Sequence, residues 1–184
     1  MEPVEINAGT WYLRGLRVDR AFDDRPALVA AFADADHRRH VTDDAVEDLD
    51  SAGAYVARRA EEWERDSRCS WAVADTVSGE MLGEVGLKDL DLARGTAELA
   101  CWTRPEHRGR GIMTTAALAA LRFGFAGLGL RRVAFRHSAD NRAAHRLAEK
   151  CGFTVDDRLP GAAVVDGGRQ DVLVWSRQAS TPES

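Results

Sequence analysis

The stretch Arg104-Pro105-Glu106-His107-Arg108-Gly109-Arg110-Gly111-Ile112-Met113 holds the residue types best placed for chemistry. Gly109 and Gly111 allow the backbone to approach a ligand closely and to turn its N–H groups outward. Residues 111–128 that follow have helical periodicity, and the first four N–H groups of a helix lack internal acceptors and carry a partial positive charge. A glycine turn leading into a helix N-terminus is a seat for a phosphate or pyrophosphate, and Arg108 and Arg110 would add charge-assisted bonds. No Gly-Lys-Ser/Thr follows, so this is not a Walker loop, and the spacing is not that of a dinucleotide fingerprint. About 30 residues further on, beyond an intervening strand, stands Asn141-x-x-Ala144-x-x-Leu147-x-Glu149-Lys150-x-Gly152-Phe153.

The elements that must position these two segments follow from hydrophobic period. Residues 10–18 read as a first strand, 26–35 as a short helix opening at Pro26, and 49–66 as a longer helix with Leu49, Ala52, Val56, Ala60 and Trp63 on one face. Strands are expected at 70–76 and 81–88 around the turn 77–80, and at 96–103. The helix 111–128 places Leu118, Leu121, Phe125 and Leu128 on one face and ends at Gly129. A strand over 131–137, a helix over 141–150 capped by Gly152, and strands over 153–159 and 170–176 around the turn 165–168 complete the chain. The tail 178–184 reads as frayed. That order predicts one α+β domain over 1–184: a mixed, mostly antiparallel sheet of about seven strands flanked by about four helices.

Composition excludes several classes. The 184 residues are 45% hydrophobic and 30% charged, a globular balance, and no run is long and apolar enough to span a bilayer. MEPVEINAGT has neither a basic cluster nor an apolar h-region, so the expectation is a cytoplasmic protein without a secretory signal or membrane contact. A net charge of −5 argues against nucleic acid as a partner. Of the 25 basic residues 23 are Arg, so an arginine by itself says little and its position must carry the argument. Cys69, Cys101 and Cys151 form no disulfide framework or zinc spacing, and His37 and His40 read as an exposed pair; no metal site is expected.

Jointly, the R-G-R-G turn and the Asn141–Phe153 motif resemble the GNAT superfamily of acyl-CoA-dependent N-acyltransferases. Leu82-Gly83-Glu84-Val85-Gly86-Leu87 and Ala97-Glu98-Leu99-Ala100-Cys101-Trp102-Thr103-Arg104-Pro105-Glu106, with the late Asp171, are similar to its RimJ/RimL-like branch. The resemblance covers about residues 10–177 and implies acetyl-CoA as co-substrate. It implies that Cys101, Trp102 and Thr103 lend main-chain groups to the pantetheine arm in the manner of an added strand. By the same resemblance the loop His107, Arg108, Gly109, Arg110, Gly111, Ile112 and Met113 holds the pyrophosphate, and Asn141 bonds the pantetheine amides. Asn141 serves equally well as a helix N-cap, and the two roles are compatible.

The family transfers the acyl group directly, without an acyl-enzyme, and the sequence shows no persuasive nucleophile set. Glu98 is the first candidate for the base that deprotonates the amine, with Glu84, His137 and Asp171 behind it. The chain departs from the family at the usual acid positions, three and seven residues after the Asn, where it has Ala144 and Ala148. Water or a neighbour such as His145 would have to protonate the leaving thiolate, and Glu106 is a further departure from the loop pattern. The expected partner is an amine acceptor, foremost the N-terminal α-amine of a protein or peptide, and the expected assembly a monomer or homodimer. A small-molecule amine is the second reading. A non-catalytic acyl-CoA-binding regulatory module, made plausible by the two alanines, is the third.

Overall fold

The computed structural model describes residues 1–41 and 44–180. Eight strands form a single sheet: β1 (Ile6–Ala8), β2 (Trp11–Arg14), β3 (Cys69–Asp75), β4 (Met81–Asp91), β5 (Thr96–Thr103), β6 (Arg132–Ser138), β7 (Thr154–Val165) and β8 (Gly168–Gln178). Their spatial order is β1-β2-β3-β4-β5-β6-β8-β7, antiparallel throughout except for β5 against β6. The five helices are α1 (Arg25–Ala33), α2 (Ala35–His40), α3 (Leu49–Glu64), α4 (Ile112–Arg122) and α5 (Arg142–Lys150). The α+β architecture expected from the sequence is present, with one more strand and one more helix.

Each addition has a local cause. The expected strand 10–18 is β2 alone, joined in a hairpin to the additional β1 before it, and it ends at Arg14, whose side chain turns into a buried ion pair. The guanidinium makes two 2.8 Å bonds to Asp24, with both residues only 3% exposed. The expected helix 26–35 breaks at Asp34, whose extended backbone and side chain cap α2 by accepting the His37 N–H at 2.8 Å. The turn 166–167 has both residues at positive φ, which suits the hairpin twist and lets β7 and β8 run longer than expected. Gln178 closes β8 rather than opening a frayed tail, and residues 181–184 of that expectation lie outside the described residues.

Two apolar layers sandwich the sheet. On one face α4 and α5 pack Ile112, Ala116, Ala120, Leu121 and Leu147 against Val85, Leu99, Val133 and Phe135. On the other, Leu28, Phe32, Ala52 and Tyr55 from α1 and α3 cover Ala72 and Met81. Of the expected face, Leu121 is buried and Phe125 and Leu128 pack against the core, but Leu118 is 38% exposed, and four alanines complete the buried side of α4. After Arg122 the helix widens by one residue per turn, with Leu128 N–H donating to the Phe123 carbonyl. None of the described helices is long and apolar enough to cross a membrane.

Candidate active site

β5 and β6 pair only from Thr96–Arg132 to Leu99–Phe135. Beyond Leu99, β5 continues to Thr103 on β4 alone and β6 continues to Ser138 on β8 alone, so the two strands part into a V. The edge of β5 at Cys101–Thr103 therefore carries main-chain groups with no β6 partner, an open place for an extended chain to pair. A cleft of about 410 Å³ lies along this edge, and Cys101, Trp102, Thr103, His107–Met113 and Asn141 all line it.

The loop is shaped for an anion. Gly109 and Gly111 have φ of +77° and +75°, and a Cβ built on either meets no atom within 4 Å. The backbone thus faces open space in a conformation that favours glycine. The first helical bond of α4 runs from Thr115 N–H to the Gly111 carbonyl at 3.2 Å, leaving the N–H groups of Ile112, Met113 and Thr114 at the free helix end. These residues fit a pyrophosphate. Arg146 and Lys150, one turn apart on α5, add cationic side chains to the wall; both were present in the sequence but only the packing of α5 beside α4 turns them to this cleft.

Arg108 lines the cleft and is also tied to α2. Its guanidinium donates to Asp34 Oδ1 at 2.7 Å and Asp36 Oδ2 at 3.1 Å, tying the loop to α2, and holds the Asp34 carboxyl below its ordinary range. Arg110 contacts His107 Nδ1 at 3.1 Å and lies over the Trp11 ring. Asn141 caps α5, Oδ1 accepting the Ala144 N–H at 3.0 Å, so a cofactor carbonyl would be met by its side-chain NH2.

A second cleft of about 210 Å³ opens on the α3 side of β5 and shares Val41, Cys101, Trp102, Phe135, Asn141 and Ala144 with the first. Glu98 lines it, only 9% exposed, with Lys88 Nζ at 3.4 Å and Arg136 Nη1 at 3.2 Å. These three side chains stand in one row across β4, β5 and β6, because Lys88 faces Glu98 in the register and Arg136 follows Phe135 on the diverging strand. Deeper in the cleft Glu84 is fully buried. It accepts from Tyr55 Oη at 2.6 Å, Arg59 Nε at 3.3 Å and Arg68 Nη2 at 3.4 Å. Gly86 makes room for Arg68: a Cβ there would stand 3.0 Å from Ser70 Oγ and 3.5 Å from Arg68 Nε. Burial and the neighbouring Glu84 push the Tyr55 hydroxyl well above its ordinary value, so it stays a donor. Asp44 is paired with Arg58 and Arg59.

Of His137, Asp171 and His145, His137 lines the second cleft and the other two line neither. His137 is buried, its Nδ1 donating to the Ser138 carbonyl at 2.8 Å and its Nε2 accepting from Trp175 Nε1 at 2.9 Å. Both nitrogens are occupied, and burial lowers its proton affinity, so it is neutral and committed. Asp171 accepts from Arg158 at 2.6 Å and Gly161 N–H at 2.9 Å, holding the irregular part of β7, and lines neither cleft. His145 packs on Trp175, ring centroids 4.9 Å apart, beside Glu149 at 3.6 Å, also outside both clefts. His37 and His40 are not an exposed pair. His37 is 4% exposed, its ring 4.4 Å from Phe32 and 5.2 Å from Trp102, and burial lowers its pKa to about 4. His40 is half-buried and lines both clefts. Burial pushes the Cys101 thiol up to about 12, which removes it as a nucleophile at neutral pH.

Residues 13–154 match the family model for the acetyltransferase (GNAT) domain. The chain belongs to that family. This GNAT domain is 29% identical over 100 residues to the spermidine N(1)-acetyltransferase of Vibrio cholerae, covering 54% of this chain and 58% of that protein. It is also 29% identical over 99 residues to the ribosomal-protein-serine acetyltransferase of Escherichia coli, covering 53% and 55%. These matches span little more than half the length of either relative. In fold it is similar to RimL, a ribosomal L7/L12 α-N-protein acetyltransferase solved with coenzyme A, at a TM-score of 0.82 and 21% identity over 95% of this chain and 98% of that one. Acetyl-CoA is the acetyl donor that family membership brings.

Proposed function

We propose that the chain is an N-acetyltransferase that moves acetyl from acetyl-CoA directly to a primary amine, the N-terminal α-amine of a protein or peptide. In this reading the diphosphate lies on the N–H groups of Gly109–Thr114. The pantetheine arm pairs with the free edge of β5 at Cys101–Thr103 and meets Asn141, which brings the thioester to the residues shared by the two clefts. Glu98 accepts the proton of the incoming amine, directly or through water. Lys88 and Arg136 flank its carboxylate at 3.4 and 3.2 Å and hold it in the cleft.

The choice of acceptor rests on one observation. Each of the carboxylates lining the second cleft among the described residues is already paired with a cation: Asp44 with Arg58 and Arg59, Glu84 with Arg59 and Arg68, Glu98 with Lys88 and Arg136. A polyamine brings several positive charges and needs unpaired acids to receive them, whereas a peptide N-terminus brings one. The test is a panel of peptides differing in the first residue, run beside spermidine and read by thiol release and product mass. Peptide turnover with little reaction of spermidine supports the reading, and the reverse order overturns it. Coenzyme A binding without thiol release from any amine would favour the regulatory alternative.

A further inference from the structure

The two alanines at the family's acid positions leave the departing thiolate without a proton donor on α5. Ala148 is fully buried in the core beneath the helix, while Ala144 faces the junction of the two clefts. Across that junction stands the C-terminal end of α2. We infer that His40, held by Ser138, is the general acid that protonates the leaving coenzyme A sulfur; this deepens the acetyltransfer reading above and rests on it.

The side chains lining both clefts include one that commonly exchanges a proton near neutral pH, His40. Cys101 shares the junction but keeps its proton, and Asn141 has none to give. His40 Nδ1 lies 3.3 Å from Ser138 Oγ at the end of β6. The Ser138 hydroxyl also acts on Asp140, where it is the first cause holding that carboxyl below its ordinary range, and Asp140 Oδ1 is buried without a hydrogen-bond partner. With Ser138 Oγ as acceptor of Nδ1–H, the ring is fixed and Nε2 is the working nitrogen. Nε2 lies 3.8 Å from Oδ1 of Asp36, itself on the wall of the cofactor cleft.

The step balances without a further reactant. The neutral amine attacks the thioester carbonyl, the C–N bond forms and the C–S bond breaks. The sulfur takes the proton from Nε2 of the imidazolium, the amine nitrogen gives its own to the base, and His40 is reprotonated from solvent. The charged groups around the ring are Asp36 and Arg39 on α2, Asp140 before α5, and His137 on β6, which acts on it through space. Asp166 in the β7–β8 turn lies 3.1 Å from Arg39.

The experiment uses the full chain, acetyl-CoA and the best-turned-over amine of the panel above, so absence of all turnover condemns the transferase reading and not His40 alone. His40→Gln should bind coenzyme A within threefold of the parent and lower kcat roughly 100-fold, the low end of the range for a lost general acid, because water can partly take its place. It should also abolish the fall of rate at high pH that an acid imposes. Adding Ala144→Ser, which puts a hydroxyl on the facing wall, should recover part of kcat. Ser138→Ala, a positioning change, should cost less and shift that alkaline limb rather than remove it, and it serves as the second probe if His40→Gln misfolds. A kcat within threefold of the parent with the alkaline limb intact, or a loss confined to the KM for the amine, overturns the inference.

Discussion

Leu99 and Phe135 are the last partners in the parallel pairing of β5 with β6, and the strands separate immediately beyond them. The separation has a cost in unmade ladder bonds, since strand N–H and C=O groups are strong donors and acceptors. The same groups are what an extended pantetheine arm can satisfy. The two clefts meet at this fork, with Phe135 and Cys101 lining both.

Gly111→Trp should weaken coenzyme A binding at least 100-fold, because the indole falls where no protein atom stands within 4 Å. Gly111→Ala is the control. Both variants place a side chain at φ +75° and should lose about 1–2 kcal/mol of stability from left-handed strain. Calorimetry with coenzyme A and thermal melts separate bulk from strain, and equal binding by the two variants would reject the seat.

Glu98→Gln should lower kcat about 100-fold or more at neutral pH and leave the KM for acetyl-CoA within about twofold. Stability should change by less than about 1 kcal/mol, because the partners Lys88 and Arg136 are 24% and 55% exposed and reach water. Steady-state rates across pH check this, and a variant at full rate throughout would remove Glu98 from the proton path.

Glu84→Ala should destabilise by about 1–3 kcal/mol, since it leaves the buried Tyr55 hydroxyl without its acceptor while Arg59 keeps Asp44 and Glu62. Tyr55→Phe removes one donor to the same carboxylate and should cost about 1–3 kcal/mol. Urea unfolding of both variants and of the double variant measures the coupling; strict additivity would show that the hydroxyl and the carboxylate act apart.

His37 makes stability fall in acid. An unfolded histidine takes a proton near pH 6.5, whereas burial lowers the folded pKa to about 4. Between these values the unfolded chain binds more protons, so the contribution is complete above pH 6.5 and is lost as pH drops toward 4. At about 1.4 kcal/mol per pH unit the loss is on the order of 3 kcal/mol. The difference in unfolding free energy between the parent and His37→Phe, taken at pH 7.5, 5.5 and 4.5, should move by that amount toward the variant; a constant difference would refute it.

The loop and the helix behind it were legible because their signals are local. Two glycines at positive φ and an apolar helix pattern need no distant partner to be recognised. His40 was not legible, since its neighbours Ser138 and Asp140 lie some 100 positions away and its face depends on the break at Asp34. The Arg108 pairing with Asp34 and Asp36 was hidden for the same reason. Leu118 misled because the buried face of α4 is filled by Ala116, Ala117, Ala119 and Ala120 between Ile112 and Leu121, and small side chains give a weak apolar signal.

By itself the order of residues determined the element sequence, the anion-seating turn, the acetyltransferase kinship and Glu98 as a candidate base, all of which depend on spacing along a few consecutive turns or strands. Tertiary structure alone decided where β5 and β6 part, which carboxylates carry a cation, and that His40 rather than His145 reaches the junction. Those outcomes depend on distances between segments far apart in the chain, which periodicity does not encode and packing does.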